Sequence, residues 1–439
     1  MTAFPMLQTK NLVPGGILAI AAECRSRRAR GERIVDLSLG EPDFDTPEHI
    51  MEAASRALEE GATRYTPAAG LAPLRQAVLR SLGAEGLRYS PREVMITCGA
   101  TGAISCAVQA LLGDGDEVII PAPFYPQYLN PIALTGAKAV IVETNASNGF
   151  RMTAEMLLAA ITPKTRVLIL NVPSNPAGVI YTREELAPLA AIAQEHGLVI
   201  LSDEVYAAFT YGQPFVSIAS LAPESTLVIR SVSKTYAMTG WRIGYAAGPV
   251  RLIEAMTTIQ ESSIVTPTAV SQWAALEALR STQDCVATIR DEFARRRALA
   301  VQKLSAIAGV TIAAGEGGMF VFPDLSGRIE DVDAFCKKLL REQGVAVVPG
   351  REFGAPNCVR ISLGTNIKDI ADGIARLAAA IEAESPVAVE VPASMTTRAV
   401  EAIHAGVFAP VRGVAALLDA AMSYGAPMQA QGEAQWISA

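Results

Sequence analysis

The apolar residues of this chain gather into short β-branched runs separated by longer stretches of helical spacing. Val94-Met95-Ile96-Thr97, Glu117-Val118-Ile119-Ile120, Ala139-Val140-Ile141-Val142, Val167 to Leu170, Leu198 to Leu201 and Leu227-Val228-Ile229 are nearly continuous apolar text. Strands buried on both faces of a parallel sheet have this pattern. Between them, Ser90 to Leu112 and Thr182 to His196 carry helical spacing, and Thr182-x-x-Glu185 is a capping box that opens the second. The alternation predicts an α/β fold, a mostly parallel, doubly wound sheet over residues 46–279. From Arg280 the text changes to a charged helix (Asp291 to Leu304), a Gly-rich break (Gly315 to Gly318), a strand (Met319 to Phe322), a helix after Asp331 and a strand near Val345. These predict a smaller α+β domain over residues 280–385, which the N-terminal segment 1–45 joins. Residues 386–439 begin Pro/Val/Ala-rich, end polar, and read as an extension without an assigned role.

Composition narrows the class of protein. With 439 residues, 50% hydrophobic and 18% charged, the chain can bury a large core and is not a disordered polymer. Lys and Arg (37) are outnumbered by Asp and Glu (44), which argues against a nucleic-acid partner, so an anionic ligand has to be held locally. The first residues show no basic segment followed by an apolar core, and the apolar stretch Val407 to Met422 is broken by Pro410, Arg412, Gly413 and Asp419. Neither a secretory signal nor a membrane span is expected. Six scattered cysteines without a C-x-x-C pair read as reduced thiols, and the expected location is cytoplasmic. His49, His196 and His404 lie far apart with no metal-ligand spacing, so no metal site is expected.

Ligands of open parallel sheets sit beyond the carboxyl ends of the strands. Four such ends are polar here: Thr97 to Gly102, Asn171 to Pro176, Ser202-Asp203-Glu204-Val205-Tyr206, and Arg230-Ser231-Val232-Ser233-Lys234. The Gly99 to Gly102 turn runs into a helix and offers free N–H groups to a phosphate, but it lacks the Gly-Lys-Ser/Thr ending of a nucleotide P-loop. Ser231, Ser233 and Arg242 bracket Lys234 with anion-binding groups. Asp203 closes an apolar strand, where a carboxylate must find a cation or donors.

Gly40-Glu41-Pro42-Asp43-Phe44, Tyr65-Thr66-Pro67 with Gly70, the glycine turn, Asn171-x-Pro173-x-Asn175-Pro176-x-Gly178, Ser202 to Tyr206 and Ser231-x-Ser233-Lys234 together resemble the class I, aspartate aminotransferase-like enzymes of pyridoxal-phosphate fold type I. The resemblance runs over residues 10–384. It implies pyridoxal 5′-phosphate as cofactor, an amino acid and a 2-oxo acid as substrates, ping-pong transfer of the amino group, and a homodimer. Carried over residue by residue, it makes Lys234 the Schiff-base lysine and proton carrier, and Asp203 the partner of the pyridine nitrogen. Tyr206 and Asn175 become donors to the phenolic oxygen, and Tyr125 the stacking ring. Ala100, Thr101, Ser231, Ser233 and Arg242 would hold the phosphate with Tyr65 from the neighbouring subunit. Arg360, with Gly40 close by, would grip the substrate α-carboxylate. Dicarboxylate-specific relatives carry a basic residue at the position of Thr101 or at one that aligns with Glu261, so Glu261 points away from aspartate and toward cationic or neutral side chains. A β-lyase on the same fold and a cofactor-binding regulator are the alternatives the resemblance leaves open.

Overall fold

The six apolar runs become six strands of one seven-stranded sheet. Its order is Val94–Thr97, Gly244–Ala247, Thr226–Ser231, Val199–Asp203, Thr165–Asn171, Glu117–Pro121, Lys138–Val142. The structure, a computed structural model, describes residues 12, 15–313 and 315–384; the extension expected at 386–439 lies outside them. Gly244–Ala247 is antiparallel to both of its neighbours, so Val94–Thr97 runs in the same direction as the five parallel strands beyond it. Period-two alternation sends neighbouring residues to opposite cores. Val167 and Ile169 pack with Ala103, Ala107 and Val108 of helix Gly99–Leu111, whereas Leu168 and Leu170 pack with Leu186, Leu189 and Ala193 of helix Arg183–Glu195. Both faces of the sheet are covered, as in a doubly wound α/β fold.

Helix Arg183–Glu195 begins at the expected capping box: the Thr182 hydroxyl accepts the Glu185 N–H, and the Glu185 carboxylate accepts the Thr182 N–H. Such a cap stabilises a helix by about 1 kcal/mol. Ser90 to Leu112, which carries helical spacing around the strand run Val94 to Thr97, contains a single-turn helix at Pro91–Glu93, that strand and then helix Gly99–Leu111. Among the described residues, no helix is long and apolar enough to cross a membrane.

A separate core forms around Phe209, Phe293, Phe320, Leu325, Phe335, Val359 and Leu377. It joins helices Asp284–Ser305, Val332–Gln343 and Ile367–Glu382 to short strands, among them Val35–Asp36, which pairs in parallel with Val345–Ala346. Residues 35 and 36 of the N-terminal segment therefore lie beside a C-terminal strand. The charged helix starts seven residues before Asp291, at Asp284, and the strand expected over Met319 to Phe322 is paired only at Phe320–Val321. Helix Gly16–Ala29 carries two basic residues, Arg27 and Arg28, in its last turn, and the Arg27 guanidinium caps the Leu340 carbonyl.

Candidate active site

Because Val94–Thr97 is parallel to the central strands, its carboxyl end opens on the same sheet edge as Asn171, Asp203 and Ser231. A cavity of about 400 Å³ lies there, and every expected site residue lines it except Tyr65 and Glu261. Tyr65 is 84% exposed in an irregular loop, and Glu261 sits exposed near the end of helix Val250–Ile264. A larger cavity of about 840 Å³ adjoins at Val205 and Ser231. Its central charges are already matched: Arg230 donates to both Glu204 and Glu85, and Glu204 also accepts from Ser202 and Ser217.

Lys234 sits in a short helix, Val232–Thr235, directly after the strand Thr226–Ser231. Its Nζ donates to the Gly40 carbonyl at 2.5 Å. Burial lowers its pKa to about 8, with Glu41 opposing and Arg242 and Arg360 adding to the fall. A free amine is thus accessible near neutral pH, which carbonyl chemistry requires.

Asp203 is pushed the other way. Burial raises its pKa to about 6 against the Tyr128 hydroxyl, which donates to Oδ2 at 2.5 Å, and the Val205 N–H, at 3.3 Å from Oδ1. A carboxylate so desolvated gains most from a cation placed beside it. Tyr128 itself is fully buried, and its ring stands edge-on to Tyr125 at 5.5 Å. Nothing in the sequence pairs positions 128 and 203; the contact exists because the chain after Glu117–Pro121 turns back over the end of the sheet.

Arg360 is 2% exposed and lies between two phenyl rings, 4.4 Å from the centre of Phe320 and 4.9 Å from that of Phe353. Nη1 donates to Asn175 Oδ1 at 3.1 Å and Nη2 to the Ser38 carbonyl, but Nε is buried with no partner among the described residues. A guanidinium that is held rigid yet incompletely bonded is suited to an incoming carboxylate. Desolvation lowers its pKa to about 10, so it stays charged at neutral pH. Gly40 keeps the approach open, since a Cβ there would lie 3.0 Å from Phe320 Cζ.

At the glycine turn, helix Gly99–Leu111 starts at Cys98 with no side-chain cap and no acidic residue in its first turn. Its first N–H groups, at Ala100 and Thr101, are left for an anion. Gly99 has φ +69°, and a Cβ there would come 2.6 Å from Arg242 Nη2, so only glycine lets this guanidinium reach the turn. Gly244, in the antiparallel strand that sequence patterning missed, packs as closely: its Cβ would lie 2.7 Å from Ala100 N. Ser231 and Ser233 hydroxyls are 2.8 Å apart beside this turn.

A family model described as "Aminotransferase class I and II" matches residues 32–377. The aspartate aminotransferase of Bacillus sp. strain YM-2 is 41% identical over 380 residues, covering 84% of this chain and 97% of that protein. The aspartate/prephenate aminotransferase of Cereibacter sphaeroides is 42% identical over 382 residues, covering 83% and 96%. The chain belongs to the class I and II aminotransferases. Among solved structures, the aspartate aminotransferase of Thermus thermophilus with maleate superposes with a TM-score of 0.83 at 38% identity, over 87% of this chain and all of that one. This aminotransferase is therefore a pyridoxal-phosphate enzyme that moves amino groups between amino acids and 2-oxo acids. The residues present fit the cofactor. The uncapped helix start with Arg242 suits its phosphate, the desolvated carboxylate suits its ring cation, and the depressed lysine suits its aldehyde.

Tyr128 is the partner that sequence reading missed, and it yields a prediction. Tyr128→Phe removes a donor to a buried carboxylate, a bond worth about 1.5–3 kcal/mol when charge is involved. Turnover is expected to fall about tenfold or more, with the acidic limb of the pH–rate profile moving to higher pH as Asp203 becomes harder to ionise. An unchanged profile would show that Val205 alone supports the carboxylate.

Proposed function

We propose that Lys234 anchors the cofactor and carries the transferred proton, that Asp203 keeps the pyridine nitrogen protonated, and that Arg360 grips the substrate α-carboxylate. The observation that carries this reading is the convergence of one lysine, one desolvated carboxylate and two arginines on a single cavity. When bound, pyridoxal phosphate supplies a conjugated sink for the electron pair left when the Cα–H bond breaks. Arg360, with Asn175 and Gly40 beside it, fixes the carboxylate and so turns the Cα–H bond toward Lys234. Lys234 Nζ would take the proton from the substrate Cα and hold it for return to the carbon of the cofactor's aldehyde group, a task its lowered pKa suits. Tyr206 and Asn175 donate to the phenolic oxygen, and Tyr125 stacks on the ring. The N–H groups of Ala100 and Thr101, the hydroxyls of Ser231 and Ser233, and Arg242 hold the phosphate. In this reading residues 46–279 form the cofactor-binding domain, and residues 1–45 with 280–385 form the small domain.

The enzyme acts as a cytoplasmic homodimer in this reading. Tyr65 is exposed and outside its own cavity, as a residue serving a neighbouring subunit would be, and all six cysteines are free. The donor is an amino acid without a second carboxylate. Among the described residues, Lys234, Arg242 and Arg360 are the lysine and arginine residues lining the cavity, each with a role above, and Thr101 is neutral. Glu261, from the partner subunit, repels a distal carboxylate and favours cationic side chains. The relatives named as aspartate aminotransferases speak for aspartate; the lining of this cavity speaks against it.

The deciding experiment is the visible spectrum of the holoenzyme after addition of single amino acids without an acceptor. Arginine or phenylalanine is expected to convert the cofactor to its amine form with stoichiometric 2-oxo acid, at least about tenfold faster than aspartate. A strong aspartate preference would overturn the role given to Glu261. Pyruvate and ammonia released from cysteine with no acceptor would instead be the β-lyase result.

A further inference from the structure

Two buried glutamines have no part in the chemistry above. Gln260 lies on helix Val250–Ile264 and Gln272 on helix Ala269–Arg280, and they are 1% and 0% exposed. Gln272 Oε1 accepts the Leu71 N–H at 2.8 Å, while Nε2 donates to Thr66 Oγ1 and to the Pro267 carbonyl, both at 2.9 Å. Gln260 Nε2 donates to the Ala68 carbonyl at 2.8 Å and the Ile96 carbonyl at 2.9 Å. A buried amide is costly unless its polar atoms are matched, and here three of the five partners, Thr66, Ala68 and Leu71, fall on one irregular loop, residues 66–71. The other side of that loop is held as closely. The Ile96 N–H donates to the Ala69 carbonyl at 3.0 Å, and Gly70 (φ +90°) approaches so near that a Cβ would lie 2.4 Å from Ile96 Cγ1.

This clamp ends at Thr66, and the next residue toward the N-terminus is Tyr65, which is exposed and makes no hydrogen bond among the described residues. Neutral amides add no charge to either site. What they do is remove the freedom of the loop that presents the tyrosine, and freedom removed before binding is affinity gained on binding. We propose that Gln272, through Thr66, is a positioning residue that aims Tyr65 at the cofactor phosphate of the partner subunit. This rests on the dimer reading given above. Gln260 has a second route, through Ile96 to Thr97, whose hydroxyl donates to the Gly99 carbonyl at 2.9 Å in the chain's own glycine turn. The two routes act on different cofactors of the dimer, and that makes them separable.

The test uses Thr66→Val, which keeps the shape and removes the acceptor for Gln272, in mixed dimers with Lys234→Ala chains. Each mixed dimer has one Lys234, so the visible band of cofactor joined to that lysine reports one site. In the first arrangement Thr66→Val is on the chain that lacks Lys234, and the reporting site receives its tyrosine from the altered loop. In the second it is on the chain that keeps Lys234, and the tyrosine comes from an intact loop. The pyridoxal-phosphate dissociation constant is expected to rise about three- to tenfold in the first arrangement only, the equivalent of one hydrogen bond. Gln272→Glu, which retains the acceptor for the Leu71 N–H and loses both donors, is expected to give the same asymmetry. Equal weakening in both arrangements, or weakening only in the second, overturns the proposal. Tyr65→Phe in the same two arrangements separates the failures. If it is asymmetric while Thr66→Val is not, the positioning role alone falls; if it is symmetric too, the shared-tyrosine reading falls with it.

Discussion

Lys234→Ala is expected to abolish turnover, by at least about ten-thousandfold, while leaving a folded protein that still takes up pyridoxal phosphate non-covalently. The lysine is both covalent anchor and proton carrier in the proposed mechanism, and a positioned base alone contributes about 10²–10⁴. Stability should move the other way. The folded pKa of Lys234 is about 8 against an ordinary 10.5, so between those values the unfolded chain binds more protons. Stability of the wild-type apoenzyme therefore rises with pH through that window, and the cost of burying the ammonium is fully present below about pH 8. A shift of this size corresponds to roughly 3 kcal/mol. At pH 7 the Ala variant sheds that cost and loses the Gly40 contact, so its apo form should be at least as stable as wild type, with the advantage shrinking as pH approaches 10.5. Steady-state rates and urea unfolding of the apoenzymes from pH 7 to 10 check both halves. Full activity in the variant would remove Lys234 from the mechanism.

Asp203→Ala is the second large effect. A carboxylate about 4 Å from a ring cation, at an effective dielectric near 20, contributes about 4 kcal/mol, so turnover should fall about a thousandfold. Here the sign of the stability change depends on the cofactor. In the apoenzyme the carboxyl pKa is raised from 3.8 to about 6, so the folded chain binds more protons between those values, and stability falls as pH rises through them. Above pH 6 the apo wild type carries the whole cost of an uncompensated buried charge, about 3 kcal/mol. The Ala variant is free of it and loses the bonds from Tyr128 and Val205 instead. The apo variant is thus expected to be close to wild type at pH 7 and less stable at pH 4, whereas the holoenzyme loses both rate and cofactor affinity. Apo unfolding at the two pH values, alongside turnover, separates an electrostatic role from a scaffolding one. Undiminished turnover would take Asp203 out of the proton-holding role.

Much of the fold was legible because burial on both faces leaves few residue types for a central strand. Val167 to Leu170 and Leu227 to Ile229 could hardly be anything else, and each was found within a residue or two of its paired ends. The strand Gly244–Ala247 escaped because Gly-Tyr-Ala-Ala has none of the β-branched signal, and its small residues answer a tertiary demand. A Cβ at Gly244 would strike the backbone of the glycine turn.

At the site, residue types at strand ends singled out Lys234 and Asp203 and the motif after the lysine singled out Arg242, because amine, anion and guanidinium chemistry is written in the side chains themselves, whereas Arg360 came only through the family resemblance. Sequence alone thus determined the α/β class, the residues bearing charge at the sheet's carboxyl edge and, through their joint spacing, the family. The tertiary structure decided what no local pattern encodes. Tyr128 meets Asp203 across 75 positions, Phe320 and Phe353 enclose Arg360, and Gln272 reaches back 206 residues to Thr66. Each of these contacts satisfies or desolvates a polar group, and such a requirement is set by what the fold brings alongside, not by what lies next in the chain.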